Sequence, residues 1–273
     1  MIFTLCAFAD EAATTIREQI EALKRNNIEY VEFRSANGKN VSELSTSEVK
    51  EMHKQFTENG IKVWSIGSPT GKIDIEDDLS LLLDKFKIMI NFANILEASH
   101  YRLFSFYGTK GKEHARDEVM TRLSYLVELA EGSGVVLCHE NEKDIYGEDA
   151  KSCLDIHSSL PEIKAVFDPA NFIQSSQSIL PAWEMLEPYV EYMHIKDATV
   201  SGEIVPAGYG DGELKKLLSM YKGDVISIEP HLSVFDGFDS LEKEKSKSGK
   251  KYIYSSQSEA FDVAVNAIKE LMV

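Results

Sequence analysis

The chain alternates short apolar segments with longer segments in which apolar residues recur at helical spacing. The apolar segments, rich in β-branched and aromatic residues, suit buried strands. They cover residues 3–8, 28–33, 61–66, 101–106, 135–138, 163–167, 190–195 and 225–228. The segments between them, such as 14–25 and 116–131, are charged and Leu-rich and predict helices. Asp10 and Glu11 precede the first helix, where negative charge suits a helix N-terminus.

This pattern comprises eight strand–helix units, which predict a parallel sheet. Eight units in 273 residues most simply close into a (β/α)8 TIM barrel. A doubly wound sheet is the alternative, but no G-x-G-x-x-G follows the first strand. Because no Pro/Ser-rich linker divides the chain, we predict a single domain over residues 1–273. An insertion at about 231–255 separates the eighth strand from the last helix, and its charged part, 236–251, is either a solvated loop or a lid or oligomer contact.

Composition narrows the classes of partner. The formal net charge of −16 disfavours nucleic acid and anionic membranes. No apolar run approaches the ~18 residues of a membrane span, and the N-terminus lacks the basic start of a signal peptide. Three widely spaced cysteines argue against a disulfide framework. We therefore expect a cytoplasmic protein, with a homo-oligomer as one possible assembly.

Each of the last four predicted strands ends in a side chain that can bind a metal ion. These side chains are Glu140, Asp168, His194 and Glu229. In a barrel the corresponding strand ends lie side by side on the face where catalysis occurs. Because side chains alternate along a strand, Glu140 should point into the barrel and His139 away from its axis.

Three converging carboxylates would repel one another strongly in a semi-enclosed pocket, and a divalent cation would offset that repulsion. Three oxygen ligands and one imidazole suit Mn²⁺, Mg²⁺ or Co²⁺ best, and Zn²⁺ remains compatible. The sequence therefore predicts one divalent metal ion held by Glu140, Asp168, His194 and Glu229.

The same segments carry a resemblance to a known family. LCHENEKDIYG, VFDPANF, YMHIKDA and SIEPHL, in that order, resemble the sugar phosphate isomerase/epimerase family. These are xylose isomerase-like TIM barrels that include ketose 3-epimerases and inosose dehydratases, and the resemblance covers essentially the whole chain. It implies that the four residues are metal ligands and that Glu140 and Glu229 also form an acid/base pair.

The predicted substrate is a small polyhydroxylated carbonyl compound. Two carboxylates would remove and return a proton beside the carbonyl through a metal-stabilised enediolate, giving isomerisation or epimerisation of a sugar or sugar phosphate. A metal-dependent dehydratase acting on a keto-sugar or inosose is the alternative, and a sugar-binding barrel without turnover is a third interpretation. Two departures disfavour ketose 3-epimerisation itself: Asn171 replaces a His of those enzymes, and Val200 replaces an Arg.

Seven further residues are candidates for substrate binding. They are Lys143, Tyr146, Asn171, Lys196, His231, Glu32 and Arg34. For Glu32 the alternative is a buried ion pair with Arg34 or Arg102, because charged groups on strand interiors need partners. Lys143 could equally be a solvated loop residue. The Gly-rich run 206–212 could bind a phosphate through its N–H groups or form a plain turn.

Overall fold

The computed structural model describes residues 2–233 and 254–273, so the predicted lid or oligomer contact at 236–251 lies outside the described residues. The strands, in chain order, are β1 (Thr4–Ala7), β2 (Tyr30–Phe33), β3 (Ser35–Ala36), β4 (Lys39–Asn40), β5 (Lys62–Ile66), β6 (His100–Leu103), β7 (Val136–Glu140), β8 (Lys164–Phe167), β9 (Val190–Ile195), β10 (Asp197–Ala198), β11 (Ile204–Val205) and β12 (Val225–Ile228). Eight of them form a closed barrel in the order β1-β12-β9-β8-β7-β6-β5-β2. The predicted TIM barrel is confirmed. The pairs β3/β4 and β10/β11 are short antiparallel hairpins in the loops that follow β2 and β9.

Helices follow the barrel strands and cover the outside of the barrel. They are α1 (Ile16–Arg25), α2 (Thr46–Glu58), α3 (Leu79–Ile95), α4 (Arg116–Ala130), α5 (Ala150–Ser159), α6 (Pro169–Gln174), α7 (Ile179–Leu186), α8 (Leu214–Met220) and α9 (Gln257–Met272). Side-chain caps define several N-termini: Thr15 caps α1, and Ser45 and Glu48 form a capping box on α2. Among the described helices, none is long and apolar enough to cross a membrane.

The barrel interior is divided into an apolar layer and a polar layer. The apolar layer consists of Cys6, Cys138, Val166, Tyr192 and Val225, with Tyr30, Trp64 and Val136 packed against it. Most of these residues lie two or four positions before a strand-end polar residue, as strand alternation requires. The polar side chains therefore share the carboxyl-terminal mouth of the barrel.

Strict alternation fails at β5. The pairing of β2 with β5 shifts register between Val31 and Glu32. As a result, Trp64 packs on the apolar layer while the next residue, Ser65, also faces inward and lies 3.4 Å from Glu32 Oε1.

Candidate metal centre

The structure brings the four predicted ligands together at the ends of four consecutive barrel strands. Glu140 ends β7, Asp168 follows β8, His194 lies on β9 and Glu229 follows β12. His194 Nδ1 lies 3.2 Å from Glu140 Oε1, 3.3 Å from Glu229 Oε2 and 3.9 Å from Asp168 Oδ2. All four are at most 3% exposed. One imidazole nitrogen thus faces three carboxylates.

The donor set fits a divalent cation. One ligand atom from each of the four residues lies within 4.8 Å of the others, close to the span of two metal–ligand bonds of about 2.0–2.3 Å each. Among the described residues, His194 Nδ1 makes no hydrogen bond of normal geometry although it is fully buried, and the same holds for Asp168 Oδ2. A buried nitrogen surrounded by carboxylate oxygens requires either a proton or a metal ion between them.

Two asparagines hold the carboxylate ligands in place. Asn171 donates from Nδ2 to Glu140 Oε1 at 3.0 Å, and its backbone N–H donates to Asp168 Oδ1 at 3.0 Å. The Asn141 amide bonds both the N–H and the C=O of Asp168, each at 2.9 Å. Asp168 is also the N-cap of α6, which begins at Pro169. Asn171, predicted to bind substrate, therefore contacts two of the predicted metal ligands directly.

Three buried basic side chains surround the carboxylates. Arg34 donates to Glu229 Oε1 at 2.8 Å, and Arg102 donates to Glu140 Oε2 at 3.1 Å and to Glu229 Oε1 at 3.4 Å. Lys196 Nζ lies 2.9 Å from Asp168 Oδ2 and 3.4 Å from Glu229 Oε2. The predicted substrate-binding residues Arg34 and Lys196 thus both reach predicted metal ligands.

The expected ion pair between Glu32 and Arg34 or Arg102 was wrong. Glu32 instead accepts a hydrogen bond from Tyr192 Oη at 2.7 Å and lies 3.2 Å from His194 Nε2. Both arginines bond the strand-end carboxylates instead, and Arg102 acts on Glu32 only through its nearby charge, which helps to lower the pKa of Glu32.

The electrostatics of the centre differ from one ligand to the next. Burial, the largest influence, raises the pKa of Asp168 to about 6, and neighbouring carboxylates reinforce it. Burial also acts to raise the pKa of Glu140, but His194 and Arg102 outweigh it and lower the value to about 2. The pKa of Glu229 is likewise held well below its ordinary value, with Lys196 as the main opposing influence to burial.

His194 is affected in the opposite sense. Burial lowers its pKa, but Glu140, Glu32 and Glu229 together raise it well above 6.5. In the absence of a metal ion the imidazole therefore carries a proton at neutral pH.

The hydroxyl of Tyr146, a predicted substrate-binding residue, is bonded to α5 and not to the four predicted ligands. Its hydroxyl donates to Asp155 Oδ2 on α5 at 2.7 Å, and Arg116 holds the same carboxylate at 2.6 Å. The Tyr146 ring is half-buried and packs against the main hydrophobic core, and the short turn at 146–148 leads the chain into α5. Lys143 is half-buried in the loop after β7, where its backbone N–H bonds Glu142 Oε1 at 2.9 Å.

His231 lies beside Glu229, as predicted, on the loop after β12. Its Nε2 is 3.6 Å from Glu229 Oε1 and 3.5 Å from Glu11 Oε1. These three residues also have ligand atoms within 4.8 Å of one another. Arg34, however, bonds both carboxylates, at 2.8 and 3.3 Å, so a guanidinium already supplies positive charge there.

The Gly-rich run at 206–212 binds an internal carboxylate. The N–H groups of Gly208, Gly210 and Gly212 donate to Asp197 at 2.8–3.0 Å. A Cβ at Gly210 would overlap the Asp197 carboxylate, so this position needs glycine. The phosphate-binding interpretation of this run was wrong, and the loop instead fixes the residue next to Lys196.

Several residues of the centre did not stand out in the sequence. Asp10 and Glu11 are not helix-capping charges; they pair with Arg34 at 2.8 and 3.3 Å. Phe8 lies under the guanidinium of Arg34 at 4.4 Å and against the His194 ring at 5.3 Å. Their position in the sequence could have indicated them. Phe8, Asp10 and Glu11 directly follow the first barrel strand, and such residues lie on the carboxyl-terminal face of a barrel, where active sites occur.

Comparisons with known proteins agree with this architecture. A family model described as xylose isomerase-like TIM barrel matches residues 20–250. No curated protein matches the sequence significantly. A solved L-ribulose 3-epimerase is similar with a TM-score of 0.77 at 15% identity, covering 100% of this chain and 95% of that chain.

Two other solved structures are similar over nearly their whole length. The IolI protein with a bound zinc atom has a TM-score of 0.74 at 16% identity, with 98% of this chain and 97% of that chain covered. The probable 3-DHS dehydratase AsbF of petrobactin synthesis, from Bacillus anthracis, has a TM-score of 0.72 at 14% identity, with 100% and 99% covered. Structural neighbours thus include an epimerase, a dehydratase and a zinc-binding protein, and identities this low show a shared fold.

Proposed function

The chain belongs to the xylose isomerase-like TIM barrel family, and from that premise we propose that it is a divalent-metal-dependent sugar or sugar phosphate isomerase or epimerase. The expected family resemblance is confirmed, and both an epimerase and a dehydratase share the fold. The proposed substrate is a small polyhydroxylated carbonyl compound, and the proposed ligands are Glu140, Asp168, His194 and Glu229.

The observation that carries this proposal is the placement of two carboxylates across one small centre. Glu140 and Glu229 come from strands that are separated around the barrel by β8 and β9. Each lies within reach of His194 Nδ1, and each is paired with a buried arginine. A barrel that only bound a sugar would not need two carboxylates facing each other, whereas proton removal and return on a carbon atom does.

The residues of the centre have different roles in the proposed reaction. A bound divalent ion would polarise the substrate carbonyl and lower the cost of negative charge on the oxygens beside the reacting carbon. Glu140 and Glu229, which accept hydrogen bonds from Arg102 and Arg34 respectively, supply the base and, once protonated, the acid. Asn171 fixes the orientation of Glu140. Return of the proton to the other face gives an epimer, and return to the neighbouring carbon gives the isomer.

A metal-dependent dehydratase is the second candidate, and Lys196 favours it. Its ammonium lies 2.9 Å from Asp168 and 3.4 Å from Glu229, inside the centre. There it can donate a proton to a leaving hydroxyl group after Glu229 has removed the proton from the adjacent carbon. Asn171 supports this reading as well, because ketose 3-epimerases have a histidine at that position.

Proton exchange distinguishes these activities. The protein is loaded with Mn²⁺ and incubated in D₂O with a panel of aldoses, ketoses, their phosphates and keto-inositols. NMR that shows deuterium at a substrate carbon supports the isomerase or epimerase, whereas loss of water with a new ultraviolet absorbance supports the dehydratase. Neither signal across the panel would overturn the catalytic proposal and leave a sugar-binding barrel.

Two variants test the assigned roles. Glu229→Gln and Glu140→Gln should each reduce exchange by about 10²-fold or more, the usual contribution of a general base. Glu184→Gln, an exposed position on α7, is the matched control and should retain full exchange. Full exchange in either active-site variant would contradict its role. Titrations with Mn²⁺, Mg²⁺, Co²⁺ and Zn²⁺ identify the preferred ion.

A further inference from the structure

Glu32 is a charged residue in the middle of the barrel rather than at its mouth. It lies on β2, is 1% exposed, and has the apolar interior layer of Tyr192, Cys6 and Cys138 as its surroundings. Burying a carboxylate is costly unless all its oxygens are satisfied. Its retention at this depth therefore requires a specific set of partners.

Both oxygens of Glu32 have such partners. Tyr192 Oη donates to Oε1 at 2.7 Å, and Ser65 Oγ approaches the same oxygen at 3.4 Å. Oε2 lies 3.2 Å from His194 Nε2. The hydroxyls come from β9 and, through the bulge, from β5, so the carboxylate is fixed from two sides of the barrel.

This arrangement decides how His194 can act. A carboxylate accepts hydrogen bonds only, so the nitrogen facing Glu32 must carry the proton. The other nitrogen, Nδ1, faces the oxygens of Glu140, Asp168 and Glu229, 3.2–3.9 Å away. It carries a proton in the metal-free centre, and a metal ion that displaces this proton would bind its lone pair. A carboxylate behind a ligand imidazole fixes its tautomer and raises its basicity.

We propose that Glu32 is a positioning residue that commits His194 to bind the metal ion through Nδ1 and thereby strengthens metal binding at this centre. This inference rests on the metal centre of the proposed function. Tyr192 and Ser65 hold Glu32 in turn, so the arrangement continues from the apolar layer to the metal ligands. This role behind His194 differs from the predicted role of Glu32 in substrate binding.

The test uses Zn²⁺ as the probe, because it is diamagnetic and binds imidazole well. Calorimetric titration should show a dissociation constant about 10–100-fold higher for Glu32→Gln than for the wild-type protein. Tyr192→Phe keeps the contact between Glu32 and His194 and should change the dissociation constant of Zn²⁺ by less than about tenfold. The free energy of unfolding without metal should also fall in Glu32→Gln, because the protonated His194 loses a buried counter-ion, so the Zn²⁺ affinity is the deciding readout.

A purely structural role predicts lower stability with unchanged Zn²⁺ affinity, and that unchanged affinity would overturn the proposal. ¹⁵N NMR of the Zn²⁺-loaded wild-type protein shows, without any variant, which ring nitrogen of His194 binds the metal ion. It should show His194 protonated at Nε2 and ligated at Nδ1, and ligation through Nε2 would overturn the proposal. Failure of the wild-type protein to bind either Zn²⁺ or Mn²⁺ would overturn the metal centre itself, whereas equal affinities in wild type and Glu32→Gln would overturn only the role of Glu32.

Discussion

Arg34 Nη1 lies 2.8 Å from Glu229 Oε1, and both side chains are almost completely buried. The other nitrogens of the same guanidinium bind Asp10 at 2.8 Å and Glu11 at 3.3 Å. One arginine therefore compensates three buried carboxylates, of which Glu229 is a proposed ligand and base. This arrangement makes the stability of the barrel depend on a residue of the centre.

We expect Arg34→Met to lower the free energy of unfolding by about 3–5 kcal/mol, because it leaves buried carboxylates without their counter-ion. Urea unfolding at pH 7 measures the loss. Arg17→Met is the control: Arg17 pairs with Glu21 on the surface of α1, where the two side chains are 85% and 57% exposed. Its effect should stay within about 0.5 kcal/mol. Equal effects of the two substitutions would show that the buried pairing is not what stabilises this region.

Metal affinity should depend steeply on pH. Burial raises the pKa of Asp168 to about 6, and the surrounding carboxylates raise the pKa of His194 well above its usual 6.5. Both groups must be deprotonated to bind a metal ion. Above pH 6 one proton, from His194, should be released for each ion bound. Below pH 6 a second is released from Asp168.

The expected dissociation constant of Mn²⁺ therefore rises about tenfold for each unit of pH lowered above pH 6, and more steeply below it. Calorimetric titrations in two buffers of different ionisation enthalpy count the released protons at pH 7 and at pH 5.5. An affinity that does not change between these pH values would contradict the assigned protonation states.

The periodicity of the sequence predicted the barrel and the four residues that the structure brings together, because strand alternation and strand ends are local properties. Glu140 faces inward and His139 outward for that reason alone. The partners of these residues were not predictable in the same way. Glu32 contacts His194, 162 positions away in the chain, through a pairing across the barrel. The bulge in β5 also alters which side chains face inward.

The charged residues in the sequence likewise did not show which of them form ion pairs with each other. Arg34, Arg102 and Glu32 all lie on barrel strands or immediately after them. The sequence was therefore compatible with ion pairs among these three residues. In the structure, the loop after β1 supplies two of the carboxylate partners of Arg34, namely Asp10 and Glu11. Only the closure of the barrel, which brings β1 beside both β2 and β12, places those carboxylates next to Arg34 and Glu229.

Tyr146 offers a test of how far the centre extends. Its hydroxyl donates to Asp155 on α5 rather than to a residue of the metal centre. We expect Tyr146→Phe to lower the free energy of unfolding by about 1 kcal/mol, the usual contribution of one hydrogen bond. Metal affinity and the rate of proton exchange should be those of the wild-type protein. A tenfold or larger loss of exchange would instead place Tyr146 in the substrate site.

His139 should make the stability of the protein depend on acid pH. The imidazole is 1% exposed and lies 2.9 Å from Ser105 Oγ. Burial, followed by the nearby His157, lowers its pKa to about 3. Between pH 6.5 and pH 3 the unfolded chain binds a proton that the folded chain does not, so stability falls as the pH falls. The expected loss from this residue is about 1.4 kcal/mol for each pH unit below 6.5.

His139→Gln removes this titrating group and should flatten the dependence by that amount when urea unfolding is measured at pH 7, 6, 5 and 4.5. Because other groups titrate in the same range, the decisive quantity is the difference in slope between the wild-type protein and the variant. Ser105→Ala is the matched control: it removes the hydroxyl beside the imidazole and should lower stability by about 1 kcal/mol at every pH. Its slope should stay that of the wild-type protein, since His139 remains buried. Parallel curves for the wild-type protein and His139→Gln would mean that His139 takes up its proton without unfolding the barrel.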